Sequence, residues 1–199
     1  MLPTSDASPS SPGTPLPPKA QSVRADGSPD GFEPPDLYAV QVLQGGYTRL
    51  RISCGWARLP AVHQALEGML RPPLKVLYVV LTDRQKGQLE KPEQMVAIEL
   101  SREQVLGTLQ ERAALVYGDG RHQLWIAGRG QEQVVLEEVG VIYAYPDDPA
   151  FRDALDAQGV PEATGQTLAE RDYVKVNFVA SADPMEEELR RRLGMARWG

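Results

Sequence analysis

In the run TRLRIS at 48–53, Leu50 and Ile52 alternate with Arg49, Arg51 and Ser53. This period of two puts one face of a strand on a core and the other toward water. With LYAVQV at 37–42 and the LQGG connection, it predicts a hairpin of two half-buried strands. In LPAVHQALEGML at 59–70 the spacing changes: Val62, Leu66 and Met69 recur three and four apart, and Ala65 and Leu70 widen the stripe. That pattern predicts a helix with Pro60 in its first turn and Pro72 and Pro73 beyond its end. LKVLYVVL at 74–81 is apolar throughout after Lys75, short, and rich in β-branched residues, as expected of a central strand covered on both faces.

A polar segment from Thr82 to Glu93 reads as an exposed loop. Ser101 and Gln104 have capping-box spacing, and Leu100 and Val105 that of a hydrophobic staple, which predicts a helix over 102–112. AALVY, HQLWIA, QVVLEEV and GVIYAY follow, separated by GDG and GRGQE turns and by an irregular stretch at Glu137–Gly140. They read as an antiparallel meander, with GDG as its hairpin turn. Asp148, Pro149 and Gly159 bracket a helix over 149–158, and YVKVNFV at 173–179 reads as a strand. Asp183 is the expected cap of PMEEELRRRLG, where Glu186, Glu187 and Glu188 each precede an arginine by four residues on a solvent-facing helix. The order of elements predicts an α+β fold, a mostly antiparallel sheet with packed helices, and is compatible with a ferredoxin-like split βαβ portion.

Residues 1–36 hold nine of the seventeen prolines and six serines, with Phe32 the only aromatic. They read as a disordered Pro/Ser-rich tail ahead of one domain spanning 37–199. The formal charge of -6 disfavours nucleic acid as a partner. No apolar run approaches the roughly 20 residues that span a bilayer, and the first residues lack the pattern of a signal peptide, so a cytoplasmic protein that does not engage membranes is expected. Cys54 is the single cysteine and His63 and His122 the two histidines, which excludes an intrachain disulfide and a Cys-rich metal site. No metal or cofactor is expected.

Candidate chemistry concentrates in LVYGDGRHQLWIA at 115–127. Asp119 is able to orient His122, with Arg121 beside them for an oxyanion, although no nucleophile accompanies them and the bland reading is a hydrated turn. Cys54 has no neighbouring base to favour its thiolate, and His63 sits beside the apolar helical stripe. Asp147, Asp148, Asp153 and Asp156 lack calcium-loop spacing, and GDGRHQLWIAGRG lacks the GKS or GKT ending of a phosphate loop. Tyr143 and Tyr145 alternate onto one face, where antiparallel pairing brings Trp125 near them. If exposed, these three rings form a contact surface; if covered, they are core. The expected function is a non-catalytic protein-interaction or regulatory protein that binds a protein partner or itself, through an open sheet edge or this aromatic patch. The alternative is a small enzyme or ligand-binding domain with a polar cleft near Asp119, Arg121 and His122.

Overall fold

A computed structural model describes residues 16–177 and 182–198. Its strands are β1 (Ala20–Ser22), β2 (Leu37–Val42), β3 (Thr48–Ser53), β4 (Leu74–Asp83), β5 (Gly87–Leu100), β6 (His122–Ala127), β7 (Gln133–Leu136), β8 (Ile142–Tyr145), β9 (Tyr173–Lys175) and β10 (Ala196–Arg197). The helices are α1 (Leu59–Glu67), α2 (Arg102–Glu111), α3 (Ala113–Gly118), α4 (Pro149–Ala157) and α5 (Asp183–Leu193). Eight strands form one antiparallel sheet in the order β10-β5-β4-β6-β7-β8-β3-β2, and β1 pairs with β9 in a second, two-stranded sheet. The fold is α+β, and no described helix is long and apolar enough to cross a membrane.

The alternation read in β3 sends Leu50 and Ile52 into the main core, where they meet Val76, Tyr78, Leu124 and Ile126 from the neighbouring strands. All five described helices cover this face, α1 through Val62 and Leu66 and α5 through Leu189 and Leu193. β3 and β4 run parallel to one another with β6, β7 and β8 between them. The β3–α1–β4 crossover therefore spans three strands, a wider split than the single intervening strand of a ferredoxin-like unit. Ser101 and Gln104 form the predicted capping box. Asp148 caps α4 by accepting from the Ala150 amide at 2.8 Å.

Local polarity misled at three places. Residues 87–93, expected to be loop, belong to β5, whose outer neighbour is only the two-residue β10. A strand at the sheet margin keeps Gln88, Glu90 and Lys91 in water, and Pro92 falls in the register shift opposite Val80 and Thr82, where it breaks no regular ladder. AALVY, expected as a strand, is instead α3, with Leu115, Val116 and Tyr117 buried in succession; an apolar run of five does not distinguish a strand from a buried helical turn. Asp183 is the first residue of α5 and pairs with Arg84, so it does not cap the helix through its side chain.

GDG accordingly joins a helix to a strand and is not a hairpin turn. Gly120 is needed for a different reason: a Cβ there would collide with the Lys19 carbonyl oxygen. That carbonyl accepts from the Val176 amide at 2.8 Å, and the Gly120 amide donates to the Val176 carbonyl at 2.7 Å. The chain thus packs before the change of texture at Leu37. Ala20 and Phe32 join Val135, Val139, Val141 and Tyr143 in a second apolar cluster on the sheet face opposite the helices. Proline content hid this packing because a single strand of three residues suffices for it. Residues 1–15 and 178–181, including the end of the expected 173–179 strand, lie outside the described residues.

Gly120→Ala is expected to push the Lys19 segment off the sheet, costing about 1–3 kcal/mol as an overpacking change. Hydrogen exchange should report faster amides at Ala20–Ser22 with β4 unaffected; unchanged exchange would show that the contact is not needed.

Candidate functional site

α3 ends at Asp119, whose backbone is extended, and β6 begins three residues later at His122. This short junction buries all three chemical candidates, so the hydrated-turn reading does not hold. One Asp119 oxygen accepts from the Arg121 amide at 3.0 Å. The other accepts from Arg121 Nε at 3.1 Å and Arg84 Nη1 at 3.0 Å. Arg121 Nη1 donates to the Thr82 carbonyl at 3.2 Å, and its Nη2 pairs with Glu186 of α5. Glu186 also pairs with Arg190, one turn further along α5. Burial opposes the Arg121 charge, yet Asp119 and Glu186 outweigh it and raise the guanidinium pKa.

His122 takes no part in this network. Its ring lies 4.7 Å from the Tyr78 ring, and among the described residues neither ring nitrogen has a hydrogen-bond partner. Burial first, then the nearby Lys19 and Arg121 charges, depress its pKa well below the ordinary value, so the imidazole is neutral. A polar cleft of about 260 Å³ does open beside the junction, bounded by Arg84, Arg121, Asp183, Glu186, Glu187 and Arg190. Neither Asp119 nor His122 lines it. The acid and the imidazole therefore do not converge on a point within the cleft.

Lys19 is the neighbour that no sequence signal revealed. Its fully buried ammonium donates to the Val116 carbonyl at 2.9 Å. Burial pulls its pKa down to about 7, against the opposing pull of Asp119 and Glu138. Cys54 is buried, and burial, aided by the Asp36 charge, pushes its thiol up to about 12. His63 meets the Tyr117 hydroxyl at 3.1 Å and Glu67 at 3.0 Å rather than Cys54. Asp147 forms a two-point ion pair with Arg152. On α5, Glu186–Arg190 and Glu188–Arg192 pair as expected, whereas Arg191 turns to Glu188 and leaves the expected Glu187 pairing unmade. Glu186 is buried, so α5 is not wholly solvent-facing.

The aromatic candidates do gather on one face. Trp125 pairs with Val135, and Val135 pairs with Tyr143, in one cross-strand row. The Arg49 guanidinium sits 3.6 Å from the Tyr143 ring centroid and donates to the Tyr145 hydroxyl. Tyr143 is 8% exposed, and Trp125 and Tyr145 are half-buried against the second cluster. This row is mainly core.

A more open surface lies at the sheet margin. Val42 and Tyr47 are 74% and 75% exposed at the end of the β2–β3 hairpin. The Tyr38 amide donates to the Pro161 carbonyl and the Tyr38 carbonyl accepts from Ala163, both at 2.9 Å, so Tyr38 directs its backbone groups away from β3. Leu43 instead donates to Tyr47 across the hairpin. By the alternation of an antiparallel ladder, Val40 and Val42 also point their backbone groups outward, and among the described residues nothing pairs with them there. The stretch LYAVQVLQGGYT at 37–48 carries no charge and no proline. That is the signal from which this edge was legible, since sheet margins are ordinarily guarded by such residues.

No family model, curated protein or solved structure matches this chain.

Removing the Asp119 carboxylate would leave Arg84 and Arg121 facing one another in the interior, and Asp119→Ala is expected to cost about 3–5 kcal/mol. His122→Phe should stay within about 1.5 kcal/mol of the parent, because no hydrogen bond is lost. Urea unfolding checks both, and equal losses at the two positions would contradict the separation of His122 from the ionic network. Lys19 sets a pH dependence. The unfolded chain holds its proton up to about 10.5 and the folded chain only to about 7. Stability contributed at this position therefore rises with pH between those values. The parent should gain on Lys19→Met in urea titrations from pH 7 to 9; a constant difference between the two would contradict the burial of a titrating amine.

Proposed function

We propose that this chain is a non-catalytic protein-interaction protein that recognises its partner through the free margin of its sheet. The observation that carries the reading is the uncharged β2 edge, whose outward backbone groups at Val40 and Val42 lie beside the exposed Val42 and Tyr47 side chains. Such an edge offers backbone donors and acceptors to an added strand, and flanking apolar side chains supply contact area. Two further observations support it. Asp119, Arg121 and Glu186 satisfy one another in the interior, and the Cys54 thiol is held protonated by burial, so the groups that would perform acid-base or nucleophilic chemistry are engaged elsewhere. The rival reading, a small polar ligand in the cleft beside Arg121, draws on the cleft alone.

The test is photocrosslinking in the cell of origin, with Tyr47→p-benzoylphenylalanine on one chain and the same replacement at the exposed Glu103 of α2 as control. A discrete protein adduct should form from position 47, be absent from position 103, and disappear when Val42→Lys is added. Equal labelling from both positions, or none from position 47, would reject recognition at this margin.

A further inference from the structure

We propose that the strand added to the β2 edge is β2 of a second copy of this chain, paired antiparallel about a two-fold axis beside Val42. This rests on reading that margin as the recognition surface, and it names the partner. Among the described residues, the free part of this edge is short. At Tyr38 the margin is already occupied, because Pro161 and Ala163 hold its amide and carbonyl and Glu162 bridges to it. At the other end the Leu43 carbonyl accepts from Gly46, and the chain turns back toward β3 through Gly45 and Gly46, both with left-handed φ. The open edge therefore runs only from Val40 to about Gln44.

A second copy fits that length. With Val42 opposite Val42 across the axis, Val40 of each copy lies opposite Gln44 of the other. The partner hairpin ends where residues 161–163 begin, so neither copy displaces them. A longer incoming strand would have to do so. An isologous contact also lets the two Val42 residues exchange amide and carbonyl bonds by symmetry.

Electrostatics favour the same occupant. The chain carries a formal charge of -6, yet residues 37–48 contain no charged side chain, so two copies meet where their like charges are absent. The opposite margin is built differently: β5 presents Glu90, Lys91, Pro92 and Glu93 around its register shift, and β10 ends in exposed Arg197. Those residues discourage strand addition, and β2 has no counterpart to them. Residues 1–15 make a poor ninth strand, because Pro3, Pro9, Pro12 and Pro15 supply no amide donors. Val42 lies on the helix-covered face in the row Tyr38–Val40–Val42, so pairing would join two valines that are now in water and extend that apolar row across the axis.

The contact is short, and a weak, concentration-dependent dimer is expected. Sedimentation of the full chain over about 5 to 500 µM, the range in which interfaces below standard size dissociate, should show the mass rising from one copy toward two. Val42→Lys places like charges across the axis and should weaken association at least about tenfold. Val42→Pro deletes an amide that faces away from β3, so it should do the same while leaving the hairpin and its circular dichroism melt in place. Trp198→Ala, at an exposed ring on the opposite margin, should change nothing. A monomer at every concentration, or a dimer indifferent to both Val42 variants, or one dissolved by Trp198→Ala, would overturn self-pairing. A monomer whose position 47 still crosslinks to a different protein would overturn self-pairing alone and leave recognition at this margin standing.

Discussion

The guanidinium of Arg121 is buried, and its position between Asp119 and Glu186 is the constraint on which the surrounding structure depends. Moving such a cation out of water costs several kcal/mol unless its donors are matched by nearby carboxylates and carbonyls. The match draws in the α3–β6 junction through Asp119, the end of β4 through the Thr82 carbonyl, and α5 through Glu186. Three segments distant in sequence are thereby held at one end of the sheet. Beside them Lys19 inserts under the junction and fixes the start of the described chain. Residues that resemble a catalytic set here tie α5 and the end of α3 to the end of β4.

The same economy shapes the margins. Where the sheet ends at β5 and β10, charge and proline limit further pairing, and where it ends at β2 the only cover among the described residues is the short segment at 161–163. Aromatic side chains that looked available, Tyr143 above all, are drawn beneath the second apolar cluster. Among the described residues the most exposed large apolar side chains are Val42 and Tyr47. Recognition is thus assigned by what the core does not absorb, a distinction that depends on burial rather than on residue type.

Much of the architecture was legible because its causes are local. The β2–β3 hairpin, the α1 stripe, the Ser101 and Asp148 caps and the alternation of His122, Leu124 and Ile126 each follow from neighbours within a few residues. The misreadings share a different origin. Asp119 and Arg121 read as a hydrated turn because their partners, Arg84 and Glu186, lie 35 and 65 residues away in the chain. Residues 82–93 read as loop because a margin strand, here the first half of β5, needs no apolar face, and residues 1–36 read as tail because the contacts of Ala20 and Phe32 are with a sheet face formed much later in sequence. The nearness of Asp119 and Arg121 was legible, but not their burial, nor the Arg84, Glu186 and Lys19 side chains beside them, nor the separation of His122 from the ionic network.

The central claim, that Arg121 and Glu186 act as a structural couple, is tested most directly by a double-mutant cycle read by urea unfolding, with Arg121→Leu, Glu186→Leu and both together. The double variant is expected to be more stable than the sum of the single losses requires, because each single change leaves the other charge one partner short in the interior, with a coupling of about 1–3 kcal/mol. Additive losses would mean that the two groups do not depend on one another, and the fastening described here would not exist.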